Sequence, residues 1–164
     1  MRPWGILFVG AAWYAAVAVW AAVRIPPGEV PVHFGIDGTA DRFGSAGQAL
    51  TLALLPGIIV LLLGVGLVLL VRRGPLRVLN IPHKDYWLTA AREPLLRRML
   101  AVDVASLLCA TLVFLSLIPV WIVEGARGGA GSSSPLVLLP VAVFVVAVPV
   151  WSVWLVRVRY RRRG

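Results

Sequence analysis

The sequence predicts an all-α integral membrane protein, a four-helix bundle with both termini on the cytoplasmic side. Three observations lead there. The 164-residue chain is 60% hydrophobic and only 14% charged, and its mean hydropathy of +0.90 lies far above the soluble globular class. Four apolar runs, 4–23, 49–71, 100–123 and 136–156, each reach the roughly 20 residues that cross a hydrocarbon core. Thirteen of the 16 Lys and Arg residues belong to one set of connections and ends: Arg2, the seven between Arg72 and Arg98, and the five from Arg157 to Arg163. Only Arg24, Arg42 and Arg127 belong to the other, and the basic side is expected to face the cytoplasm.

The first run follows a single arginine and is longer than the apolar core of a secretory signal, so it reads as a span. Its alanines pair four apart, Ala11/Ala15, Ala12/Ala16 and Ala18/Ala22, a spacing that lets helix backbones approach closely, either within the chain or between two copies. Trp13, Tyr14 and Trp20 are placed to pack between helices. Loop 24–48 follows, and its Pro26, Pro27 and Pro31 forbid a continuous helix and favour extended backbone. Asp37-Gly38 is a turn signal, and Gln48 is placed to help cap the second span. The chain thus divides into a helical hairpin with its outer loop over 1–71, a basic cytoplasmic loop over 72–99, and a second transmembrane hairpin with a basic tail over 100–164.

In the basic loop, Leu88, Leu95, Leu96 and Met99 are expected to edge a short interfacial helix limited by Pro94, with arginines reaching headgroups. Asp103 opens the third span, and a carboxylate one turn inside a membrane needs a partner. Arg97, Arg98 or a basic tail residue can reach it, and Ser106 is one turn away. Loop 124–135 is Gly- and Ser-rich and reads as a flexible connection. Pro56, Pro119, Pro140 and Pro149 imply kinks or locally opened backbone. Trp4, Tyr86, Trp87, Trp121, Trp151, Trp154 and Tyr160 cluster where spans meet water, as an aromatic belt does. Cys109 is alone and reads as a small packing residue. The net charge of +9 is assigned to topology and to anionic lipid headgroups at the basic loop and tail, and nucleic acid is excluded as a partner.

The outer loop holds the densest set of chemistry-bearing residues. His33, Asp37 and Asp41 lie four apart, and a turn can converge an imidazole and two carboxylates on a divalent ion or on acid–base chemistry. The competing structural reading has Asp37 capping the turn, Asp41 pairing with Arg42 or Arg24, and His33 packing at the interface. The structural reading leads, because the chain holds no nucleophile–base pair and no repeated metal-ligand spacing. No catalytic residue, cofactor or metal is assigned.

The residues Pro31, His33, Phe34, Asp37, Gly38 and Asp41 resemble the pattern of a bacterial membrane-protein family, the domain of unknown function 1648, which also forms the N-terminal part of immunity proteins against a sporulation-delaying toxin. The resemblance spans 24–71, and the inner stretch Asn80-Ile81-Pro82-His83-Lys84-Asp85-Tyr86-Trp87-Leu88 is similar to a segment that follows this domain in short members. Family members often carry Lys or Arg just before the second span, where this chain has Ser45-Ala46-Gly47. The resemblance implies a protein of the bacterial cytoplasmic membrane that is not an enzyme, with Pro31, His33, Phe34, Asp37, Gly38 and Asp41 recognising a peptide or protein partner outside the cell. A homo-oligomer fits the same picture. The alternatives are a small transporter or transporter subunit, with Asp103 and the proline breaks lining a path, and a purely structural membrane protein.

Overall fold

The computed structural model describes residues 2–35, 39–128 and 138–162. Helix α1 spans Pro3–Ala22, strands β1 and β2 span Glu29–Phe34 and Ala40–Ser45, and α2 spans Ala46–Arg73. A 3-10 turn at Leu76–Val78 and the one-turn helix α3 at Lys84–Trp87 lead to α4 at Glu93–Leu115 and α5 at Leu117–Arg127. Helix α6 spans Leu138–Trp154 and ends in a π-helical turn, Leu155–Arg159. Four helical segments are long and apolar enough to cross a membrane, with α4 and α5 counting as one, Glu93–Arg127. The protein is a multi-pass, helical membrane protein.

Helix α4 is the axis of the bundle. It packs against both α1 and α2, which also touch each other, around the shared cluster of Leu7, Val68, Val71, Ala101 and Ala105. The face of α1 that packs runs Leu7, Gly10, Tyr14, Ala18, Ala21, a helical three-four repeat. Of the predicted alanine pairs only Ala18 is buried, and Ala12, Ala15, Ala16 and Ala22 face outward. Gly10 makes the close approach instead: a Cβ there would lie 3.0 Å from the Cα of Cys109. In lipid, where apolar burial alone does not drive helices together, such approaches supply the van der Waals contact that does.

Prolines act differently in different places. Both α2 and α6 continue through Pro56 and Pro149. Pro119 has no N–H, and its ring crowds the carbonyl four residues earlier, at Leu115. The backbone accordingly breaks at Ser116, between α4 and α5. Buried Ser116 donates its hydroxyl to the Val113 carbonyl (2.6 Å) and accepts from Trp13 Nε1 (3.0 Å), which ties the break to α1. Near the middle of the bundle, the Tyr14 hydroxyl donates to the Ala53 carbonyl of α2, and its ring lies where a side chain on Gly57 would be.

The basic loop folds as a plug rather than lying along the interface. Leu76, Ile81, Trp87, Leu96 and Tyr160 form one buried cluster. Pro94 sits in the first turn of α4, where a missing N–H costs nothing, so it starts the long helix instead of limiting a short one. Leu96 is fully buried while Leu95 is exposed. Trp87 and Tyr160, at 1% and 4% exposure, are core residues and not belt anchors, whereas Trp4 and Trp154 are exposed as a belt requires. Arg97 ties the loop to the bundle by donating from Nη1 to the carbonyls of Val71 (2.8 Å) and Gly74 (2.9 Å), which satisfies the open carbonyl end of α2. Its Nε and Nη2 meet one oxygen of Glu93, at 2.9 and 2.7 Å.

The expected flexible connection falls largely on 129–137, outside the described residues, and its first residues, through Arg127, are the end of α5. Helix α6 is peripheral. Among the long helices it packs chiefly on α4, through a Phe114–Phe144 stack with ring centroids 4.2 Å apart, and no residue of its spanning window is buried.

Candidate functional site

At one end of the bundle the loop between α1 and α2 is an antiparallel hairpin. Its entry turns at Gly28, whose φ of +110° suits a residue without Cβ. Along β1, Val30 and Pro31 are buried, Val32 and Phe34 half-buried, and Glu29 and His33 exposed, so the inner face is interrupted where the pairing is irregular. Val30 is fully buried with Ala49, Ala53 and Ile122, and β1 thereby rests on α2 and α5. Phe34 and Pro31 lie over Gly125, where a Cβ would come within 2.9 Å and 3.0 Å of their side chains. Strand β2 pairs back along β1 from Phe34↔Ala40 to Glu29↔Ser45, with irregularities on either side of His33. Its end feeds α2 through a reciprocal cap: Gln48 N–H donates to Ser45 Oγ (3.2 Å), and Ser45 N–H to Gln48 Oε1 (3.0 Å).

The two strands are used differently. β1 is spent on the bundle, while Asp41, Arg42 and Phe43 of β2 face outward, Phe43 at 50% exposure. His33 Nδ1 and Asp41 Oδ1 lie 2.6 Å apart, both side chains more than half exposed. Asp41 is therefore paired with His33 rather than with Arg42 or Arg24, and His33 faces water. The Gly35 N–H donates to the Thr39 carbonyl at 2.8 Å. Asp37 and Gly38, the other sequence candidates, lie outside the described residues. Among the described residues no three His, Cys, Asp or Glu side chains converge on a metal position. Beside β2 an open recess of about 650 Å³ is bordered by Val32, Arg42, Phe43, Gln48 and Thr51.

Asp103 is at the other end of the bundle and is buried. One of its oxygens, Oδ2, accepts from Arg159 Nε and from the Tyr160 hydroxyl, each at 2.6 Å. The π-helical turn delivers both donors: the Tyr160 N–H bonds the Leu155 carbonyl five residues back, which re-aims the end of α6 toward α4. Trp87 Nε1 donates to the Tyr160 carbonyl at 2.9 Å, so the plug loop holds the same residue. Burial first, and then the hydrogen bond to Asp103, push the Tyr160 phenol well above its ordinary pKa, and it remains a donor across the physiological range. A tail arginine is thus the partner of Asp103, and Arg97 and Ser106 are not.

Residues 6–60 match the family model described as domain of unknown function (DUF1648). The chain carries a DUF1648 domain. No curated protein and no solved structure matches the chain. The DUF1648 domain here runs along α1, through the hairpin, and about four turns into α2, so the hairpin lies wholly inside it and Asp103 lies outside. Within the DUF1648 match, Pro31 and Phe34 serve packing on α5, and His33 and Asp41 form the exposed pair. Sequence reasoning passed over Phe43, which stood beside a charged pair with no pattern to mark it, whereas Tyr14 packs between helices as expected.

Proposed function

We propose that this DUF1648-domain protein is a binding or sensing protein of the bacterial cytoplasmic membrane, of the immunity-like class, whose hairpin meets a peptide or protein partner outside the cell. The observation that carries this reading is the division of labour between the strands. β1 is consumed by packing, whereas β2 presents Asp41, Arg42 and Phe43 and is an edge strand of a two-stranded sheet among the described residues. An open edge accepts an extended segment by main-chain pairing, with neighbouring side chains selecting it, and the recess beside Phe43 suits that role. The excess of Lys and Arg at the opposite end supports an outward hairpin and cytoplasmic termini. The protein acts by binding rather than by chemistry, and its basic loop and tail meet anionic headgroups.

A transporter finds less support, since Asp103 is engaged by Arg159 and Tyr160 and the spans offer few polar groups to hydrate a path. The reading is tested by replacing Asp41, Arg42 and Phe43 with alanine together. In chemically cross-linked membranes the wild type should give a species heavier than the chain alone, and the variant should lose it at an unchanged melting temperature. A variant that keeps the heavier species refutes recognition by β2.

A further inference from the structure

The basic end of the bundle holds a cavity that gives the headgroup contact proposed above a definite place, and the inference rests on that reading. About 940 Å³ in volume, the cavity opens between the start of α1, the end of α2 and the start of α4. Four arginines line it: Arg2, Arg72, Arg97 and Arg98. Arg97 is committed to Glu93 and to the carbonyls that end α2. The other three are exposed and have no carboxylate partner among the described residues. Arg72 is held over the Trp4 ring, 6.0 Å from its centroid, and so leans toward the cavity wall rather than extending freely into water. Helix α1 has neither a side-chain cap nor an acidic residue in its first turn, and its start therefore adds positive potential there, while Glu93 in the first turn of α4 is taken up by Arg97. The rest of the wall is apolar, from Pro3, Trp4, Pro94, Ala101 and Val102.

We propose that this cavity is a discrete binding site for one anionic phospholipid. Its phosphodiester sits among Arg2, Arg72 and Arg98, and an acyl chain runs down the Trp4, Ala101 and Val102 wall into the bilayer. Charge selects the anion, and position selects the lipid. The arginines stand where three spans begin or end, and the apolar wall continues into helix faces that meet the hydrocarbon. A nucleic acid or an acidic peptide would satisfy the arginines and leave that wall bare. The basic tail, by contrast, has Arg157, Arg161 and Arg162 exposed at and beyond the end of a peripheral helix, and it makes only diffuse contact with headgroups.

Native mass spectrometry of the full chain in detergent, with equimolar phosphatidylglycerol and phosphatidylcholine, tests this. One phosphatidylglycerol per chain should be retained in preference to phosphatidylcholine. The triple variant R2Q/R72Q/R98Q should bind it roughly a hundredfold more weakly, about fivefold for each surface charge removed. R157Q/R161Q/R162Q removes the same charge and should stay within about twofold of wild type. Equal losses in the two variants, equal retention of the two lipids, or displacement by glycerol phosphate at the lipid's own concentration would each overturn the site. Should the first variant fail to fold, photoreactive phosphatidylglycerol on the wild type decides: adducts confined to 2–4, 72 and 94–102 support the site, and adducts on the tail or spread over the bundle refute it.

Discussion

Removal of the Asp103 carboxylate is the perturbation whose cost the structure defines best. In Asp103→Ala, the Tyr160 hydroxyl, 4% exposed as a residue, loses its acceptor at 2.6 Å. A buried donor left unsatisfied costs about 1–3 kcal/mol. Arg159 loses its partner as well, but its side chain is 29% exposed and can turn to the interface. The 3–5 kcal/mol typical of a broken, fully buried pair is therefore too large here. The sum comes to about 2–3 kcal/mol. Tyr160→Phe removes the hydroxyl but keeps the ring against Trp87, and should cost about 1–2 kcal/mol. Because both variants break the same hydrogen bond, the double variant should fall short of additivity by about 1 kcal/mol, within the range of polar pairs in membrane bundles. Unfolding in mixed micelles by increasing SDS measures all three. A second signature is local: the end of α6 is held by the aromatic stack, by the seat of Tyr160 in the plug cluster and by this lock, so trypsin should cut faster after Arg157 and Arg159 in Asp103→Ala than in wild type. Additivity within about 0.5 kcal/mol together with unchanged cleavage would show that the lock does not hold the end of α6.

Three further outcomes follow from the geometry. Gly57→Leu forces a side chain into the space of the Tyr14 ring and should destabilise by about 1–3 kcal/mol in the same SDS titration, whereas Gly66→Leu, where nothing lies within 4 Å, should be neutral. Ser45→Ala breaks the reciprocal cap with Gln48 and should cost about 1 kcal/mol, read as faster amide exchange in the first turn of α2. Phe34→Ala should lower the melting temperature by unseating β1 from Gly125, while His33→Ala, which removes an exposed pair, should change stability by less than about 1 kcal/mol.

The spans were legible because length and hydropathy alone decide them in a bilayer. Half of the cap was legible: Gln48 was read as a cap of α2, while its reciprocal partner Ser45 was not. The hairpin was half legible. Prolines announced extended backbone, but whether strands pair depends on α2 and α5 offering a surface, which no local pattern encodes. Asp103 was marked by its cost in the membrane, and its partner was not, because Arg159 reaches it only through a π-helical turn 56 residues away. Trp87 and Tyr160 misled for a related reason: a Trp near a span end looks the same whether it faces headgroups or plugs a bundle. The alanine pairs of α1 misled because exposed small residues satisfy the same spacing as packed ones, and only the neighbour, Cys109, singles out Gly10.

The recognition role of β2 is tested most directly by a photo-crosslinking residue placed at Phe43 in living cells, with the same residue at Phe34 as its comparison. A discrete peptide or protein adduct at Phe43, absent at Phe34 and lost when Asp41 and Arg42 are replaced by alanine, is the predicted result. Adducts at Phe43 only to lipid or to the chain itself would contradict it.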